Sequence, residues 1–149
     1  MRENISLKEI GFDDLDCFND TEYSALTEEK RKELVEHSKN SQHQGKYFKF
    51  YLIIYQERIV GFLNVCDLSR SAFSIAPEIK KEFRRKGFCE IALTIAFNIQ
   101  KLRGKKLAIA SIREDNVASI KLHEKLGFEL VKDYYSKSGK PMKEYVKFI

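Results

Sequence analysis

Cysteine is scarce in this sequence: three residues, Cys17, Cys66 and Cys89, an odd number scattered along the chain. Such a set builds neither a disulfide framework nor a zinc pattern, and it points to a reducing compartment, the cytoplasm. Histidine is as scarce, also three. His37 and His43 have no carboxylate or cysteine at ligand spacing, so no metal is expected. Long apolar runs are missing too. None approaches the roughly 20 residues that cross a bilayer, and Met1-Arg-Glu-Asn4 lacks the apolar core of a signal peptide. No membrane partner is expected. The sequence also lacks internal repeats and low-complexity segments.

What remains is an ordinary globular composition, with 33% charged and 43% hydrophobic residues. The 149 residues suffice for one domain, taken as 1–149, and fall short of two. The net charge of +5 is concentrated in 79–106 and 132–147, a field that favours anionic partners.

Periodicity orders the chain into elements. Ile5–Ile10 alternates as a first strand closed by Gly11. The acidic stretch 12–23 starts with a short helix, and its carboxylates belong either to helix-start chemistry on a solvated surface or to recognition of a cationic substrate. Thr27 caps a helix running to about Ser38. Tyr47–Tyr55 and Ile59–Cys66 form an antiparallel pair around Gln56–Arg58. Phe73–Lys81 is a strand interrupted by Pro77, which cannot donate to a ladder. A helix over 89–103 leads to a fully buried strand ending at Ile112, parallel to 73–81 because a helix joins the two. Asn116 starts a helix ended by Gly127. Two more strands, 128–135 and 142–149, flank a hairpin loop at 136–141.

The chain is organised around Ile79-Lys-Lys-Glu-Phe-Arg-Arg-Lys-Gly-Phe-Cys89 and the helix that follows. Apolar residues at 89, 92, 93, 96, 97 and 99 trace one helix face. A loop that opens into a helix leaves backbone N–H groups without acceptors, and the helix dipole makes that end positive. Gly87 lets the backbone approach a ligand closely, and Arg84, Arg85 and Lys86 add mobile positive charge at the rim. This describes a phosphate cradle. Five basic residues among the seven of 80–86 also describe a solvated face or a nucleic-acid patch. The Gly-Lys-Ser/Thr ending of a Walker loop is missing.

These residues resemble the GNAT superfamily of acyl-CoA-dependent N-acetyltransferases. Arg84-x-x-Gly87-x-Cys89 is similar to its Gln/Arg-x-x-Gly-x-Gly/Ala loop. Asn116-Val-Ala-Ser119-Ile-Lys-Leu-His123-Glu-Lys-Leu-Gly127-Phe128 is similar to its Asn-x-x-Ser/Ala-x-x-x-Tyr-x-x-x-Gly-Phe signature. The two blocks lie within residues 72–131 in the family's order. The resemblance implies an α/β (α+β) fold: a mixed, mostly antiparallel sheet of about seven strands with helices on both faces. It implies acetyl-CoA as cosubstrate and no metal. Cofactor contacts fall on Ile79 (a backbone contact to the pantetheine arm), Arg84, Arg85, Lys86, Gly87, Phe88, Cys89, Asn116 and Ser119. The splay of the strand carrying Pro77 also follows from it.

The acceptor implied is a primary amine, either a small molecule or a protein N-terminus, attacking directly in a ternary complex. Cys89 replaces a Gly or Ala of the pattern and is small enough for close packing. His123 replaces the tyrosine that protonates the departing thiolate. It is either that acid, since imidazole titrates near neutrality, or a half-exposed helix residue without catalytic duty. Phe73 stands near where some members carry a glutamate, so the base falls to Glu78 or Asp67, acting through water. Two other classes stay open: a basic nucleic-acid-binding module, disfavoured because no RNA-binding signature is present, and a non-catalytic acyl-CoA-binding protein of the same fold. Monomer and homodimer are both compatible with the sequence.

Overall fold

Alternating apolar residues make strands wherever a face can be buried, and here seven of them form one sheet. They are β1 (Ile5–Glu9), β2 (Phe48–Tyr55), β3 (Arg58–Asp67), β4 (Ala72–Ile79), β5 (Leu107–Arg113), β6 (Glu129–Tyr135) and β7 (Pro141–Phe148). The computed structural model describes residues 4–149. Residues 1–3 of the opening read above for a leader lie outside it. The strand order is β1-β2-β3-β4-β5-β7-β6. Every pairing is antiparallel except β4–β5, the two strands joined by a helix. This is the mixed, mostly antiparallel α/β sheet that the sequence implies. Among the described residues no helix is long and apolar enough to cross a membrane.

Three α-helices cover the faces: α1 (Glu28–Lys39), α2 (Phe88–Leu102) and α3 (Val117–Lys125). The Thr27 hydroxyl accepts from the Lys30 N–H and caps α1 as expected. Strand β2 shows how one strand feeds two cores. Phe48, Phe50 and Leu52 pack with Val35, Phe18 and Cys17 on the α1 side. Tyr51 and Ile53 point the other way, into the cluster that holds Leu93, Ala96 and Phe97 of α2. Full burial of side chains such as Leu93 contributes about 2 kcal/mol each, so α2 is held by its apolar stripe. Its starting residue, Phe88, is already 2% exposed.

Three expectations need correction. Strand β5 is not fully buried: Ala108, Ala110 and Ile112 are buried, while Ser111 between them is exposed. A helix covers only one face along its length. Pro77 does not interrupt β4, which pairs with β3 without a break from Gly61↔Ile79 to Asp67↔Phe73. The Lys80 N–H bonds to Val60 O at 2.9 Å, so by strand alternation the nitrogens of Pro77 and Ile79 face away from β3. The proline withholds a donor only on the side where β4 has lost its neighbour. Strand β4 also ends at Ile79 and not at Lys81, since Lys81–Phe83 makes a 3-10 turn that buries Phe83.

Candidate active site

Strands β4 and β5 run parallel but pair over only three residues, Ala72↔Leu107 to Ser74↔Ile109. Beyond Ser74 and Ile109 they part, so a crevice opens at their carboxyl ends, where parallel strands of an open sheet offer binding sites. The main-chain groups of Ile79 face this opening by the alternation just described. Both strands lead to helix N-termini, β4 to α2 through the 3-10 turn and the loop at 84–87, and β5 to α3.

The N-terminus of α2 is capped by Gly87 in the left-handed region, φ 80°. The first intrahelical bond runs from Ile91 N–H to Gly87 O, so the N–H groups of Phe88, Cys89 and Glu90 have no acceptor within the helix. A Cβ at Gly87 would meet no atom within 4 Å. The space beside the turn is open, and Arg85 and Lys86 stand exposed beside it. This end of α2 is therefore fitted to hold a phosphate. Cys89 is half-buried and its thiol is pushed up to about 12 by burial first, then by Glu78 and Glu90. It stays a neutral small side chain beside the donors.

Arg84 departs from the expected mobile charge. Its Nη2 donates to Glu78 Oε1 at 2.8 Å and its Nε to Ile79 O at 2.9 Å. Glu78, on the last turn of β4 before the loop, has a side chain 13% exposed. Burial raises its pKa above the usual glutamate range and the nearby Glu22 adds to this, while Arg84 and Arg113 oppose. A carboxylate poised in this way suits a general base. Asp67, the other base candidate, lies at the far end of β4, opposite Phe73. It is held by Arg103 at 3.1 Å and Lys105 at 3.0 Å. Although burial pulls its pKa up, these hydrogen bonds and charges prevail and lower it. Position and occupancy both remove Asp67 from the site. Phe73 is fully buried in the core.

Asn116 caps α3, its Oδ1 accepting from Ser119 N–H at 3.2 Å. That occupies the Asn116 side chain in the helix start. His123 lies one turn further and is 1% exposed, not half-exposed. Its Nδ1 bonds to Ser119 O at 2.8 Å, its ring meets Phe128 edge-on at 4.9 Å, and Nε2 is buried without a partner. Burial lowers its pKa below 6.5 and outweighs the Ser119 bond, which raises it.

Sequence reading missed two contributors, Gly61 and Arg113, and offered Glu22 only as one carboxylate of the acidic stretch. Gly61 on β3 lies against the backbone of Glu78: a Cβ there would sit 2.3 Å from Glu78 O. An isolated glycine in a strand signals such an approach. Glu22, from the acidic stretch, reaches Arg113 at the end of β5 with a 3.6 Å ion pair. Arg113 also lines, with Glu114, Asp115, Lys140 and Pro141, a cleft of about 470 Å³. No local signal marks that long-range pair.

Comparison with known proteins gives the arrangement a family. No curated protein matches the sequence. Solved structures similar to it include the acetyl transferase of Salmonella typhimurium that modifies the N-terminal serine of 50S ribosomal subunit protein L7/L12. It is 19% identical over 98% of this chain and 95% of that one, with a TM-score of 0.82. Another is yncA from Salmonella typhimurium, with its cofactor acetyl-CoA: 14% identity, 97% and 94% covered, TM-score 0.75. The spermidine/spermine N-acetyltransferase SpeG from Vibrio cholerae, in complex with manganese ions, is 16% identical over 99% and 94%, with a TM-score of 0.77. At such identities the likeness is one of fold. The sequence itself matches the family described as Acetyltransferase (GNAT) domain across residues 12–129, and the chain belongs to that family.

Proposed function

We propose that this protein transfers an acetyl group from acetyl-CoA to a primary amine by direct attack in a ternary complex. The observation that carries the reading is the opening between β4 and β5 beside the Gly87 turn. An extended amide-bearing arm can add to the free edge of β4 at Ile79 by main-chain hydrogen bonds. The phosphates then meet the N–H groups of 88–90, with Arg85 and Lys86 at the rim. Asn116 and Ser119 stand at the start of α3 across the opening.

Acetyl-CoA supplies the acetyl group as a thioester, whose C–S bond breaks as the C–N bond forms. The chain has to bind it, and to deprotonate the ammonium so that a lone pair is available. Glu78 is proposed to take that first proton, directly or through one water, and pass it to solvent. The second nitrogen proton is free to end on the departing sulfur, so the step balances without a separate acid. For His123, its burial and the Nδ1 bond to Ser119 O support a packing role over that of proton donor.

Both acceptors named in the solved structures above, a protein N-terminal serine and a polyamine, carry primary amino groups. The acceptor proposed here is of that class. The test is release of free thiol from acetyl-CoA against a panel of N-terminal peptides, polyamines and aminoglycosides. Turnover with one class establishes the reading and its acceptor. Acetyl-CoA binding with no turnover across the panel favours a non-catalytic binder. Tight binding of random RNA at about 0.15 M salt, with a steep salt slope and no acetyl-CoA binding, favours the nucleic-acid module. Glu78→Gln should lower turnover by roughly 10²-fold or more. It should also remove the acid limb of the rate profile, whose midpoint lies above the usual glutamate value because burial raises Glu78.

A further inference from the structure

One side chain joins the loop, the strand edge and the base. The Arg84 guanidinium donates through Nε to Ile79 O at 2.9 Å and through Nη2 to Glu78 Oε1 at 2.8 Å. Its backbone belongs to the loop that turns at Gly87 into α2. The two partners differ in freedom. Glu78 is fixed in β4 with its side chain 13% exposed, whereas the Arg84 side chain is 45% exposed. If the pair separates, the arginine is the member that moves.

We propose that Arg84 is a positioning residue that couples occupancy of the 84–89 loop to Glu78. With the loop empty, Arg84 clamps the Glu78 carboxylate and the Ile79 carbonyl; a phosphate held at the loop draws the guanidinium away and leaves both groups free. The inference rests on the acetyl-CoA reading above. Its driving force is differential. With Arg84 45% exposed, its pair with Glu78 is a single, partly solvated contact, whereas guanidinium and phosphate form charge-assisted, often bidentate hydrogen bonds. The consequence is chemical as well as geometric. The Ile79 carbonyl, facing the opening, becomes available to an amide donor. Glu78 Oε1 becomes available to the proton of the acceptor.

The groups facing Glu78 determine how it responds. Arg84 comes from the loop after β4 and Arg113 from β5, while Glu22 comes from the segment before α1. Tyr23 and Cys89, from that segment and from α2, are the neutral groups that sense Glu78 in turn. Arg113 is already engaged by Glu22 and Asp115, at 3.6 and 3.5 Å. Once Arg84 leaves, no other cation lies within ion-pair distance of Glu78 among the described residues. Burial and Glu22 then dominate, and the carboxylate becomes more basic. Ligand binding at one place therefore changes the base at another, and the coupling is reciprocal.

The experiment follows the Glu78 side-chain carboxyl by NMR in the full chain labelled at glutamate, with Glu78→Gln used for assignment. It is titrated alone and with saturating coenzyme A, whose binding is measured by calorimetry. The midpoint of Glu78 is expected to move upward with coenzyme A. In Arg84→Gln it should already be raised without ligand and move little further. By reciprocity, Glu78→Gln should tighten coenzyme A binding about 2- to 5-fold in the wild-type background and not in Arg84→Gln. If coenzyme A binds and the Glu78 midpoint stays in place, the coupling is overturned while the cofactor reading stands. An upward move of equal size in Arg84→Gln also overturns it, because the phosphate field would then act without the arginine. Failure of coenzyme A to bind the folded wild-type chain overturns both.

Discussion

The Nδ1 of His123 lies 2.8 Å from the carbonyl oxygen of Ser119, one turn earlier on α3. A carbonyl only accepts, so the ring's Nδ1–H donates. The neutral imidazole carries its single proton there, and Nε2 is left as a buried lone pair with no partner. Charging this ring means placing a cation among Phe128 and the surrounding core.

The first prediction concerns stability against pH. Burial holds the folded pKa of His123 below its value of about 6.5 in the unfolded chain. The unfolded state therefore takes up the proton first on acidification. The contribution of this group is fully present above about pH 6.5 and is lost as pH falls through the folded pKa. Melting temperature should drop between about pH 7.5 and 5, and His123→Phe should flatten part of that drop. An unchanged pH slope in a folded His123→Phe protein would contradict the burial argument.

Turnover of the same variant separates packing from acid catalysis. A neutral ring whose proton sits on Nδ1, donated to Ser119 O, has none to give at Nε2, so His123→Phe is expected to keep turnover within about tenfold at saturating acetyl-CoA. A loss near 10²-fold, rescued by His123→Tyr, would instead establish a proton donor at this position.

Gly87 is favoured by its φ of 80°, not by crowding, since a Cβ there would meet open space. Gly87→Asp should cost about 1–2 kcal/mol for an L-residue in the left-handed region, leaving the fold intact. Its carboxylate would project where the phosphates are proposed to bind. Calorimetry should show acetyl-CoA affinity reduced beyond detection, and an unchanged affinity would displace the cradle from this loop.

Gly61→Ala tests the strand that carries Glu78. A Cβ 2.3 Å from Glu78 O and 3.0 Å from Ile79 Cα cannot be accommodated without moving β4. Both contacts are backbone, so no side chain can swing aside. A destabilisation of about 1–3 kcal/mol is expected by denaturant unfolding. Turnover should fall, and acetyl-CoA affinity should fall less than in Gly87→Asp, because Glu78 and Ile79 are displaced while the Gly87 turn is not.

Asp67 serves stability at the far end of the sheet. Asp67→Ala leaves Lys105, 6% exposed, without its carboxylate, though Ser69 O and Arg70 O still accept from it at 2.9 and 3.0 Å. A loss of about 3 kcal/mol is expected, with turnover per folded molecule unchanged. If activity fell while stability held, Asp67 would return as a candidate base.

Local rules were enough for much of this protein. Alternation in β2, the Thr27 cap, the stripe along α2 and the Asn116 and Gly127 ends of α3 each follow from residues a few positions apart. Their physical causes, burial on one face and unpaired groups at helix ends, act within that range. The order of strand, basic loop, glycine and helix likewise marked the helix start proposed as a phosphate cradle, since a helix makes its own N-terminal donors. Other features depend on what the chain brings together across long separations. The extent of the β4–β5 pairing, three residues, and the Arg113–Glu22 pair have no local signature. The same holds for the choice between Glu78 and Asp67: both are acidic residues at or near strand ends. Only the register of β3 on β4 sets one at the opening and the other beneath Arg103 and Lys105, because charge and burial depend on distance through space.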